Sequence, residues 1–273
     1  MEHSESAVIP EATRDQSRQT QMMRRSLLLA AVLASICVVP YTYSFMKQRA
    51  RELQPASALI SDLATNVLTE VLISWGLILL GMRARRSLGL DATLLNDWPP
   101  ADAQAWRRVR NSITVVFVLG LGLGLILAIA DYFVEPMMPK PRRPLPTPPP
   151  WTGLLASVGA GIQEELWMRV GMMTSLVWLG TRIVRRMPPS SAVVWTANAF
   201  AALLFGALHI PQALVLVGPS AIVVAFTLLG NGVPGMVFGW LYWRYGIVAA
   251  MVCHFAADLL LKAILPLLGI AGE

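Results

Sequence analysis

Nine ionisable side chains fall inside long apolar runs of this sequence: Glu70, Asp131, Glu164, Glu165, Arg169, His209, His254, Asp258 and Lys262. A charge at the centre of a bilayer costs about 2.5–3.5 kcal/mol even on insertion-based scales, so each needs a partner or a function. In the stretch GIQEELWMRVG (residues 161–171), Glu165 and Arg169 are four residues apart and share a helix face, so they can pair. Glu164 lies about 100° away round the helix and stays free to face a cavity. The competing reading is a buried charge cluster that only locks helices together. His209 closes the stretch FGALHIP, with Phe205 and Asn198 on its face; interfacial packing is the plainer explanation for a lone histidine. His254 and Asp258, in VCHFAADLLLK, are also four apart. A carboxylate there can fix the imidazole tautomer and raise its basicity. Alternatively Asp258 pairs with Lys262 and leaves His254 alone, or Lys262 snorkels to the cytoplasmic surface. Taken together, a carboxylate doublet, Phe-x-x-x-His and His-x-x-x-Asp on three helices would gather a base, two imidazoles and an acid or acceptor. That set suits activation of water for hydrolysis.

These groups can meet only if membrane helices bring them together. Of 273 residues, 55% are hydrophobic and 14% charged, against about 25% charged in soluble domains. The net charge of +6 comes from short basic clusters between apolar runs, as in membrane loops rather than a nucleic-acid surface. Cys37 and Cys253 each sit in an apolar run and form no disulfide framework or CxxC site. No cleavable signal peptide is expected.

Residues 1–25 read as a flexible cytoplasmic tail. Spanning-length runs follow at 26–46, 63–82, 112–134, 151–180 and 192–210, the last closed by Pro211. A sixth run covers 213–229. Asn231, Gly232 and Pro234 then predict a turn before a short seventh run at 235–245 and an eighth at 246–268. The expected fold is all-α and polytopic, with about eight spans, or seven if the short run is re-entrant. Basic residues number thirteen in the tail, second and fourth loops against six in the first and third, which predicts a cytoplasmic amino terminus. The proline-dense loop 136–150 is expected to be extended, most simply as a spacer. Gly120, Gly122 and Gly124 form a ladder, and Gly235 and Gly239 a small-xxx-small packing pair. Asp131 reads as interfacial, and Glu70 as a possible support for the site.

The motifs EELWMR (Glu164, Glu165, Arg169), FGALH (Phe205, His209) and HFAAD (His254, Asp258), in that order, resemble those of the CPBP intramembrane proteases. That family includes the type II CAAX prenyl endopeptidases and Abi-type proteins. The stretch GMVFGWLYWRYGIVAAMVCH resembles its lead-in to the last motif. The likeness covers residues 151–268, the expected catalytic core; residues 26–150, with three helices and the proline-rich loop, carry no such motif. The resemblance implies a CAAX-protease-like bundle with Glu164 as general base, His209 helping to activate water, and His254 and Asp258 at the oxyanion. It makes Glu165, Arg169 and Phe205 supporting residues. An amide at 258 could donate to an oxyanion, but an ionised Asp258 cannot. Asp258 would therefore be protonated, orient His254, or bind a metal. The family is often called metalloproteases, and His209, His254, Glu164 and Asp258 are the candidate zinc ligands. No HExxH is present, and a metal-free water mechanism is equally open; the expectation adopted is no stoichiometric zinc. The implied activity is hydrolysis of a membrane-associated or lipidated peptide or protein by a multi-pass protein embedded in lipid, with no nucleic-acid partner. The rival readings are a proton- or metal-coupled transporter, against which no internal repeat is visible, and a catalytically silent scaffold, against which every motif residue is intact.

Overall fold

The computed structural model describes residues 11–50, 56–85, 88, 103–140 and 147–270. Among them there is no strand, and seven long helices make up the fold. Helix α1 is Glu11–Ala50, α2 is Ala56–Arg85 and α3 is Ala103–Val134. Helix α4 runs Pro150–Glu165, widens into a π-helical segment at Leu166–Met173 and resumes as Thr174–Val184. Helix α5 is Ser191–Leu216 and α6 is Ala221–Tyr245. Helix α7 is Ile247–Leu259, extended by a second π segment at Leu260–Ile264 and a last turn at Leu265–Leu267.

Six helices, all but α4, are long and apolar enough to cross a membrane. Their outer faces carry large apolar side chains such as Leu29, Ile60, Leu72, Ile126 and Phe200 in the open, as suits a multi-pass membrane protein whose solvent there is hydrocarbon. The apolar window of α7 is 50% buried, against 11–28% in the other spans, so α7 is the central helix. It packs on α3, α4 and α6, while α1 lies on α2 and α4, and α5 pairs with α6.

Among the described residues an eighth span is not found. Instead the expected sixth and seventh runs fuse into α6, which passes straight through Asn231, Gly232 and Pro234. A helical proline forfeits one backbone hydrogen bond, and in a membrane helix neighbouring elements offset that loss. Here Asn231 turns its amide back to donate to the Thr227 carbonyl at 2.8 Å. A Cβ on Gly235 would come within 3.3 Å of Ala202 and Phe205 of α5, and Gly239 packs directly on the Asn198 side chain. For the same reason α5 runs through Pro211 to Leu216 rather than ending at residue 210. Residues 11–25, expected as part of a flexible tail, form the first turns of α1. Their Glu, Ala, Gln, Met and Arg are good helix formers. Residues 1–10 lie outside the described residues. Within the expected extended loop, Glu135–Met137 is a single 3₁₀ turn. Met138 and Pro149 have near-polyproline dihedrals, and residues 141–146 lie outside the described ones. The amide of Gln48 exchanges two hydrogen bonds with the Thr147 backbone, at 3.1 and 2.7 Å. They tie the end of α1 to the start of α4.

The glycine ladder of α3 divides by contact. Gly120 lies against the Cys253 carbonyl and Ala256, and Gly124 against Ala257, whereas a Cβ on Gly122 would meet nothing within 4 Å. Gly120→Ala must push α3 off the α7 backbone beside His254, an overpacking cost of about 1–3 kcal/mol. Gly122→Ala gains helix propensity worth up to about 1 kcal/mol. Thermal unfolding in detergent should therefore show a lower midpoint for Gly120→Ala and an unchanged or higher one for Gly122→Ala. Equal shifts would contradict this packing.

Candidate active site

Helix α4 presents the glutamate doublet, and α2 keys it in place. Gln163 donates to the Ser74 hydroxyl at 2.8 Å and to the Glu70 carbonyl at 3.3 Å. Trp167, one turn on, donates its indole N–H to the same hydroxyl at 2.7 Å. The π segment opens immediately after Glu165; such segments interrupt α-helices frequently at functional sites. Thr174 holds the wide turn closed, with its backbone N–H and its hydroxyl (2.8 Å) both on the Arg169 carbonyl. It also shares a 2.8 Å hydrogen bond with the Tyr242 hydroxyl of α6.

Within this frame Glu165 and Arg169 are fully buried and pair, Arg169 Nε donating to Oε2 at 2.9 Å. The guanidinium lies 6.0 Å from the centre of the Phe205 ring. Its two terminal nitrogens are buried with no hydrogen-bond partner among the described residues. The other oxygen of Glu165, Oε1, lies 2.9 Å from Nδ1 of His254. A carboxylate already held by an arginine accepts here, so Nδ1 carries the proton and Nε2 faces outward. The imidazole is further fixed by stacking on Phe238 (centroids 4.6 Å apart, 13° between planes) and by the edge of Phe205 at 5.9 Å.

Glu164 is different. It makes no hydrogen bond among the described residues, its side chain is 27% exposed, and its Oε2 lies 3.6 Å from His254 Nε2. Asp258 approaches the same nitrogen from the far side at 3.9 Å, beyond hydrogen-bonding distance. Its Oδ2 is instead bonded to the Lys262 ammonium at 2.5 Å. Of the two readings of Asp258, the pairing with Lys262 is the one the geometry shows. His254 is oriented by Glu165, from 89 residues away, because Asp258 is committed to Lys262. Nor does Lys262 snorkel outward. His209 bonds through Nδ1 to the Phe205 carbonyl at 2.8 Å. A carbonyl only accepts, so Nδ1 is the protonated nitrogen and Nε2 keeps its lone pair. Phe205 lies edge-on to both imidazoles, 4.9 Å from His209 and 5.9 Å from His254. The structure therefore gathers Glu164, Glu165, Arg169, His254 and Asp258 directly and brings His209 to the group across Phe205.

Glu70 lies beside the site. Its side chain is hydrogen-bonded with Ser35, it interacts electrostatically with Glu164, and its carbonyl holds Gln163. Asp131 is exposed on α3. Phe238, Tyr242 and Ser74 were not marked by any local pattern, since each acts across helices. Asn198 of α5 donates to the Met236 carbonyl of α6 at 3.0 Å.

Of the four candidate zinc ligands, Asp258 is bonded to Lys262, Glu164 is unbonded among the described residues, and His209 and His254 each keep the Nε2 lone pair. Among the described residues no three His, Cys, Asp or Glu side chains converge as a ligand group. A structural or catalytic zinc needs at least three protein ligands. What the residues present is a free carboxylate, Glu164, beside an imidazole oriented by Glu165.

Residues 146–260 match the family model described as Rce1-like, type II CAAX prenyl endopeptidase Rce1-like. The matched segment contains the helices that carry every side chain of the site just described except Glu70, Ser35, Ser74 and Lys262. No curated protein and no solved structure matches the chain.

Proposed function

We propose that the chain, whose residues 146–260 match the Rce1-like type II CAAX prenyl endopeptidase model, is an intramembrane endopeptidase in which Glu164 activates water against a peptide bond. One observation carries the assignment of the base. Glu165 is spent on Arg169 and His254, whereas its neighbour Glu164 is unbonded, partly exposed and 3.6 Å from the outward nitrogen of His254. Glu164 takes a proton from water as the water oxygen bonds to the carbonyl carbon and the carbonyl electron pair moves onto oxygen. When the tetrahedral intermediate collapses, the C–N bond breaks and the leaving amine takes the proton back from Glu164. The products are a new carboxyl terminus and a free amine. His209, with its Nε2 lone pair, positions the water, and His254 lies on the oxyanion side.

The substrate is a membrane-associated peptide or protein, and lipidation would deliver it to a site set among spanning helices. The arginine excess at residues 14, 18, 24, 25, 83, 85, 86, 107, 108, 110, 182, 185 and 186 supports a cytoplasmic amino terminus. The test is a comparison of new protein termini in cells carrying the native chain or Glu164→Ala. At least one processed terminus should vanish with the variant, and an identical set in both would remove the endopeptidase reading.

The mechanism uses no metal. Purified active protein should hold well under one zinc per chain by elemental analysis, and His254→Ala should slow turnover without changing metal content. One zinc per chain, lost in both His209→Ala and His254→Ala, would overturn this part while leaving proteolysis standing.

A further inference from the structure

We propose that Lys262 is the cationic donor of this site: its ammonium, held by Asp258, faces the oxyanion that forms when water attacks. The inference rests on the endopeptidase reading. His254, Asp258 and Lys262 recur every four residues along one face of α7. The Asp258 oxygen that binds Lys262 is the one 3.9 Å from His254 Nε2, which is itself 3.6 Å from Glu164. Lys262 also interacts electrostatically with Glu164 and with Tyr41 of α1. The ammonium is thus curled into the polar centre, with its side chain 33% exposed, whereas a lysine with no role in a span extends toward the nearest interface.

The donor inventory points the same way. Glu164 and an ionised Asp258 can only accept, and a neutral His254 with its proton on Nδ1 offers a lone pair at Nε2. Arg169 is turned into the core against Glu165 and Phe205. Lys262 has three donors and uses one, on Asp258. An amide at 258 could reach an oxyanion by itself. The carboxylate found there cannot, but it can hold an ammonium that does. The position of Lys262 is set by packing as well, since Gly153 brings the first turns of α4 directly onto the Lys262 carbonyl.

The test uses the full chain in cells at matched expression. It follows by isotope pulse-chase the processed terminus that Glu164→Ala removes, with unfolding midpoints of the purified variants in detergent. Lys262→Met should slow its appearance by about 10²–10³-fold, the usual loss for one oxyanion donor. Lys262→Arg, which keeps the charge, should stay within about tenfold of the native rate. Asp258→Ala combined with Lys262→Met should remain slow. It strands no buried carboxylate, so it keeps the test readable even where the single variant folds poorly. A native rate in Lys262→Met overturns the proposal. So does recovery in the double variant, which would reduce Lys262 to a neutraliser of Asp258. If no terminus depends on Glu164, the endopeptidase reading fails and this inference falls with it.

Discussion

Glu164→Gln is expected to bring processing below detection while leaving the unfolding midpoint of the helical bundle unchanged. Glutamine keeps the shape of the side chain and removes its ability to take a proton from water. Loss of a positioned general base alone is worth about 10²–10⁴-fold. The fold should not respond, because Glu164 makes no hydrogen bond that the exchange would strand. Its surroundings include a second carboxylate, Glu70, with which it interacts electrostatically. Removing one of two like charges relieves repulsion from Glu70, which offsets the lost attraction to Lys262. Mass spectrometry of the processed terminus and thermal unfolding in detergent read the two arms separately. Full processing by Glu164→Gln would take the base away from this residue. Unfolding as severe as that of an Arg169 variant would make the doublet a structural lock.

Much of the site could be read locally and its decisive contacts could not. The i,i+4 rule is a property of one helix, so the Glu165–Arg169 pair and the freedom of Glu164 follow from six consecutive positions and are present in the structure. The same rule offered two partners for Asp258, His254 behind it and Lys262 ahead, and spacing cannot choose between them. Geometry chooses Lys262, and an unlike pair of full charges wins over a neutral imidazole in a low-dielectric interior. The hydrogen bond from His254 to Glu165 joins α7 to α4 across 89 residues, and no periodicity encodes it. The helix count erred where turn chemistry was weighed as if in water. Asn231, Gly232 and Pro234 would end a soluble helix. In α6, exposed backbone would find no water, and Gly235 and Gly239 make the close fit to α5 that keeps the helix whole.

Arg169→Ala should have the largest effect on folding, about 3–5 kcal/mol, the range found when one partner of a buried ion pair is removed. Both members of the pair are fully buried, so the Glu165 carboxylate would be left with His254 as its sole partner and no water to replace the guanidinium. Expression and the unfolding midpoint should both fall well below those of Glu164→Gln. A double exchange separates charge balance from chemistry. Arg169→Met with Glu165→Gln removes both charges at similar volume, and such replacements are commonly neutral or stabilising. Its midpoint should therefore recover most of the loss. Processing should not recover, because a glutamine at 165 no longer offers the arginine-held carboxylate that fixes the His254 proton on Nδ1 and turns Nε2 toward Glu164. A carboxylate partner of this kind orients and tunes an imidazole in ways an amide does not. If the double variant regains both stability and processing, the Glu165–Arg169 pair serves the fold alone and His254 needs no anchor. If it regains neither, the pair contributes more to the bundle than its two charges, and the packing of the guanidinium on Phe205 is the contact to test next.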